Sequence, residues 1–131
     1  MIVVDASVLV AALADDGADA EWAAGQMATS PLAAPAHAPF EAANVLRRLA
    51  AAGALSPAEA TLAHADLCDL RIDLHPYVSV AQRTWDLRAN VTVYDAAYVA
   101  LAEALDVPLV TLDDRLSRAP GIDAVIHTPP R

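Results

Sequence analysis

Four acids are the residues best placed to do chemistry, each in its own short signature. They stand in Ile2-Val3-Val4-Asp5-Ala6-Ser7, Pro39-Phe40-Glu41-Ala42-Ala43-Asn44, Thr92-Val93-Tyr94-Asp95-Ala96-Ala97 and Val110-Thr111-Leu112-Asp113. Each acid follows an apolar, strand-like run or opens a helix-like one. Carboxylates brought together repel one another, and a divalent cation is the usual means of keeping them ionised side by side. Metal-dependent chemistry is therefore the first expectation. Oxygen donors without clustered Cys or His suit hard cations, so Mg²⁺ or Mn²⁺ is expected rather than Zn²⁺. The four His residues have no ligand-like spacing. His37, nearest to Glu41 in sequence, is expected to be structural or peripheral, and Cys68 a buried helix residue.

Every acid also has a plainer reading. Asp5 suits a helix N-cap as well as a ligand, and the Ser7 hydroxyl could bond to it in either role. Glu41 sits where a helix dipole favours an acid, with Asn44 three residues on along the same face. That face is expected to border a buried surface with Phe40 and Val45. Thr92-Val-Tyr-Asp95 approaches a capping box. Asp113 and Asp114 are adjacent and point in different directions, so at most one of them reaches a shared centre. Thr111, two residues before Asp113, lies on the same side of its strand.

Composition narrows the classes. The 131 residues suit one domain, 1–131, with a real core. The apolar fraction of 56% includes 32 Ala, each burying little area. No apolar run approaches the ~20 residues of a membrane span. The lack of a basic leader and the single cysteine fit a cytoplasmic protein. Net charge is −9, and all eight basic residues are Arg. Without Lys, a P-loop NTPase and a Schiff-base enzyme are excluded. The acidic balance argues against sequence-blind DNA coating but not against a nuclease with a local cation site. It also suits a partner rich in Arg or Lys.

The elements that must position the acids alternate. Strands are expected at Met1–Val4, within Pro31–Ala38, at Arg71–His75, Val107–Leu112 and Ala124–His127. Helices are expected at Ala6–Leu13, from an Asp19 cap to Met27, at Pro39–Ala52 closed by Gly53, and from the Ser56-Pro-Ala-Glu59 capping box to Leu70. Others follow at Val78–Arg88, Tyr94–Leu105 and Arg115–Arg118, and residues 128–131 read as a frayed tail. An apolar stripe of Phe40, Ala43, Val45, Leu46 and Leu49 marks the Pro39 helix. Ala96, Ala97 and Ala100 would let the Tyr94 helix approach the sheet closely. This alternation predicts a three-layer α/β domain whose short, mostly parallel sheet binds ligands at its carboxyl edge.

Taken as an ordered set, these motifs resemble a PIN domain, and within it the ribonuclease toxins of VapBC toxin–antitoxin modules. The matching segments are Val-Val-Asp5-Ala-Ser7, Glu41-Ala-Ala-Asn44-Val-Leu-Arg47, Thr92-Val-Tyr94-Asp95-Ala-Ala-Tyr98-Val-Ala-Leu-Ala-Glu-Ala-Leu and Leu109-Val-Thr111-Leu-Asp113-Asp-Arg115-Leu116. The resemblance implies that Asp5, Glu41, Asp95 and Asp113 form a catalytic, metal-holding quartet. Ser7, Asn44 and Thr111 would support it, and Arg115, Arg118 and Arg47 would guide phosphates. It implies metal-dependent RNA hydrolysis leaving 5′-phosphate and 3′-hydroxyl ends. It further implies a homodimer and a larger assembly with an antitoxin. That antitoxin would bring an Arg- or Lys-bearing inhibitory segment and would carry any contact with operator DNA. The competing expectation is a catalytically inactive PIN-like binding module for nucleic acid or protein.

Overall fold

The computed structural model describes residues 1–130, so Arg131 of the expected tail lies outside the described residues. Five strands form one sheet: β1 (Ile2–Val4), β2 (Leu32–Pro35), β3 (Ile72–His75), β4 (Leu109–Val110) and β5 (Ile126–His127). Their order is β3-β2-β1-β4-β5, and every pairing is parallel. Val3, at the centre, faces Ala33 on one side and Leu109 on the other. The helices are α1 (Ala6–Ala14), α2 (Ala18–Ala28), α3 (Ala38–Ala51), α4 (Pro57–Asp69), α5 (Ala81–Asp86), α6 (Val93–Leu105) and α7 (Asp114–Arg118).

From β1 the chain steps outward to β2 and β3, then crosses back to β4 and β5. Parallel crossovers are right-handed, so the two directions put helices on opposite faces. α1 to α4 pack on one another, whereas α6 packs on β1, β2 and β4 with α5 against it. The reversal opens a crevice at the carboxyl ends of β1 and β4. Val3, Val4, Ala33, Ala34, Leu109 and Val110 are wholly buried, as strands covered on both faces must be. Residues Ala96 to Ala102 of α6 are all buried, and the alanines among them let the helix lie close to the sheet.

Local signals explain most boundaries. Ser56 and Glu59 make both bonds of the capping box that starts α4. Gly53, at φ 78, supplies the left-handed residue after α3. Five expectations are corrected. α2 is capped by Gly17, not Asp19, which lies inside its first turn. β4 is only two residues long: Thr111 N–H still donates to His127 O, but beyond it Leu112 N–H donates to Ser7 Oγ and Asp113 N–H to Thr111 Oγ1. The expected Val78–Arg88 helix splits into a 3₁₀ turn at Tyr77–Ser79 and the short α5. Phe40 is 80% exposed, because the buried row of α3 runs through Ala38, Ala42 and Leu46. Cys68 is exposed, one step round from the buried row Ala63 and Leu67. Among the described residues, no helix is long and apolar enough to cross a membrane.

Candidate active site

Asp5, Glu41, Asp95 and Asp113 all line one hollow of about 750 Å³ at the carboxyl edge of the sheet. They arrive from four places: the end of β1, the first turn of α3, the first turn of α6 and the turn after β4. Ser7 and Asn44 line it too, as do Arg48 and Arg115. Arg47 and Arg118 do not, and Arg47 Nε instead donates to Asn44 Oδ1 at 2.9 Å. Asn44 is exposed at the rim rather than facing a buried surface.

Asp5 is the most buried acid, 8% exposed. It caps α1 through Val8 N–H, at 3.2 Å, so its cap and site readings coexist. Ser7 donates to the same oxygen at 2.5 Å, and Thr111 donates to the other at 2.5 Å. Burial pushes the Asp5 carboxyl up from its ordinary value. The bonds from Ser7, Thr111 and Val8 oppose that rise, and Asp95 adds to it. Thr111, itself wholly buried, thus ties the end of β4 to the end of β1.

Asp95 is half-buried, and Thr92 Oγ1 accepts from its backbone N–H at 3.1 Å, one half of a capping box. Burial raises its proton affinity, and the charges of Asp113 and Glu41 raise it further. Asp113 behaves oppositely. It caps α7 and takes a two-pronged contact from Arg115, Nε to Oδ1 at 3.0 Å and Nη2 to Oδ2 at 2.9 Å. Arg115 holds this carboxyl below its usual range. Of the adjacent pair, Asp113 faces the hollow, whereas Asp114 opens α7 and is not part of its lining.

Glu41 brings in two residues that sequence reasoning did not place in the site. The Tyr98 hydroxyl donates to Glu41 Oε1 at 2.9 Å. His37 Nε2 lies 2.9 Å from the same oxygen, at ion-pair distance but off the axis of an aligned hydrogen bond. His37 first, then Tyr98, lower the Glu41 pKa against the opposing effect of partial burial. His37 does not line the hollow and touches the site only through Glu41, in keeping with the expected structural or peripheral role. The signals were present: a Tyr inside a buried helix needs a partner for its hydroxyl, and His37 precedes Glu41 by one helical turn.

The donor set suits a hard divalent cation: oxygen ligands, mutual repulsion at Asp95, and no soft donor lining the hollow. Among the described residues, however, no three acids already stand close enough to clasp one ion. Asp113 is engaged on both oxygens by Arg115, so its ligation would require side-chain adjustment.

A family model described as PIN domain matches residues 2–122. The chain belongs to the PIN-domain family. Among relatives of this PIN domain, Ribonuclease VapC9 of Mycobacterium tuberculosis is 42% identical over 131 residues, the whole of both chains. The crystal structure of M. tuberculosis VapC20, described as a Sarcin-Ricin loop cleaving toxin, matches at TM-score 0.70. It is 18% identical, covering 95% of this chain and 98% of that one. VapBC2 from Rickettsia felis, bound to a DNA fragment from its promoter, matches at TM-score 0.68 and 14% identity, covering 98% of each chain. The α/β architecture with a parallel five-stranded sheet is thus the fold of these neighbours.

Proposed function

We propose that this PIN domain is the toxin of a VapBC-type toxin–antitoxin module, an endoribonuclease that hydrolyses RNA phosphodiester bonds with Mg²⁺ or Mn²⁺. One observation carries the reading: four acids from four separate elements line a single hollow at the sheet's switch point. Identity of 42% over the full length of a protein named as a ribonuclease supports it. Asp5, Glu41, Asp95 and Asp113 would hold the ion. When bound, a divalent ion supplies Lewis-acid activation of water and neutralises phosphate charge.

The protein's own residues do the rest. Ser7, Thr111 and Val8 N–H fix both oxygens of Asp5. Glu41 or Asp95 would orient the attacking water. Arg48 and Arg115, on the rim, are placed to hold phosphates, in preference to Arg47 and Arg118. RNA selectivity would rest on shape and on unpaired bases.

The acidic floor suits an Arg- or Lys-bearing antitoxin segment, and the wall formed by Val10, Ala14, Val45, Leu49 and Leu55 suits its aliphatic neighbours. Any operator DNA contact would come through that antitoxin. Phe40, Tyr77, Val78 and Tyr94, each more than half exposed, are the surface best suited to a second copy of the chain in a homodimer and larger assembly.

The test is cleavage of pooled cellular RNA by antitoxin-free protein with Mg²⁺, Mn²⁺ or EDTA, beside Asp5→Asn and Asp95→Asn. Discrete cuts that need metal, leave 5′-phosphate ends and vanish in both variants are expected. A folded protein that cuts nothing under any metal, or cuts equally well in both variants, would overturn the assignment.

A further inference from the structure

Tyr98 is 2% exposed on α6, and its hydroxyl reaches across to α3 to donate to Glu41 Oε1. His37 converges on that oxygen from one turn before Glu41. The two rings also brace one another, edge to face, with centroids 5.0 Å apart. Among the described residues, no hydrogen bond reaches Oε2. One oxygen of Glu41 is thus tethered and the other left open. A free glutamate would lose rotamer freedom when it ligates an ion, and a tether removes that cost beforehand. α6 carries Asp95 one turn before Tyr98, so one helix supplies an acid of its own and sets the reach of a second from α3.

We propose that Tyr98, assisted by His37, is a positioning residue that fixes Glu41 through Oε1 and leaves Oε2 as the ligating oxygen. The proposal rests on the reading of Glu41 as a metal ligand. Outer contacts of this kind change metal affinity by roughly 10–100-fold when removed.

The test is Mn²⁺ titration of the RNA-free protein, by electron paramagnetic resonance, on a set of variants checked for thermal stability. Glu41→Gln should weaken Mn²⁺ binding. Tyr98→Phe, which keeps the ring, should weaken it about tenfold in the parent and not further in the Glu41→Gln background. His37→Ala, which keeps the Tyr98 contact, should give a smaller loss with the same dependence on Glu41. It serves as the reporter should Tyr98→Phe not fold. Parent-like affinity in Tyr98→Phe, or an equal loss in both backgrounds, would overturn the positioning role while leaving Glu41 a ligand. Unchanged binding in Glu41→Gln would remove the ligand reading itself, and the proposal with it.

Discussion

Replacing Thr111 with Val keeps its shape and removes one hydroxyl that serves two bonds. That hydroxyl donates to Asp5 Oδ2 and accepts from Asp113 N–H at 3.0 Å. A bond to a charged acceptor is worth about 1.5–3 kcal/mol and a neutral one about 1 kcal/mol. The expected loss is therefore about 2–4 kcal/mol where Asp5 is ionised. Its pH dependence follows from the raised Asp5 pKa. Stability from a raised carboxyl is complete below the ordinary value of 3.8 and is lost as pH rises through the folded value. Without Thr111 the folded value rises further, so the variant falls behind the parent increasingly as pH rises. Urea denaturation at about pH 5 and about pH 8 should show the larger difference at the higher pH. Thr111→Ser, which keeps the hydroxyl, should recover most of it. A difference independent of pH, or one as large in Thr111→Ser, would refute the claim that this bond holds the Asp5 charge.

Three further outcomes are expected. Ala100→Leu, on the face of α6 packed into the core, should cost about 1–3 kcal/mol by overpacking, read by urea denaturation. Ser56→Ala should cost about 1 kcal/mol through loss of the α4 cap and leave RNA cleavage at parent level. Asp95, like Asp5, has a raised pKa, so the metal-free protein should lose stability as pH rises above the ordinary value of 3.8. Saturating Mg²⁺ should restore it, by about 2.7 kcal/mol at a hundredfold excess over the dissociation constant. Thermal melting with and without the ion would show whether the gain grows with pH.

The positions of the acids were legible because each stands beside a strong local signal: an apolar strand ending at Asp5, a Pro-started helix at Glu41, a Thr cap before Asp95. The alternation of strands and helices likewise gave the sheet. What local pattern could not supply was partnership across the chain. Tyr98 reads as core from its neighbours alone, and only the arrival of α3 beside α6 shows where its hydroxyl goes. Helical period placed Phe40 on an apolar stripe, yet the alanines on α3 were the residues that tight packing selected. β4 looked six residues long because Thr111 and Leu112 are β-compatible. Their surroundings, not their propensities, divert the chain into side-chain bonds.

The bond from Thr111 to Asp5 joins residues 106 positions apart, at the ends of the central strand and its neighbour β4. A chain emerging from the ribosome makes Asp5 106 positions before Thr111, at roughly 5–20 residues per second. Until then β1 lacks one neighbour, the carboxyl of Asp5 lacks a donor, and the fourth acid does not exist. The four-acid hollow would therefore assemble only after β4 and the turn beyond it have been made. Fragments ending before residue 111 would lack both the Thr111 hydroxyl that holds Asp5 and the acid Asp113.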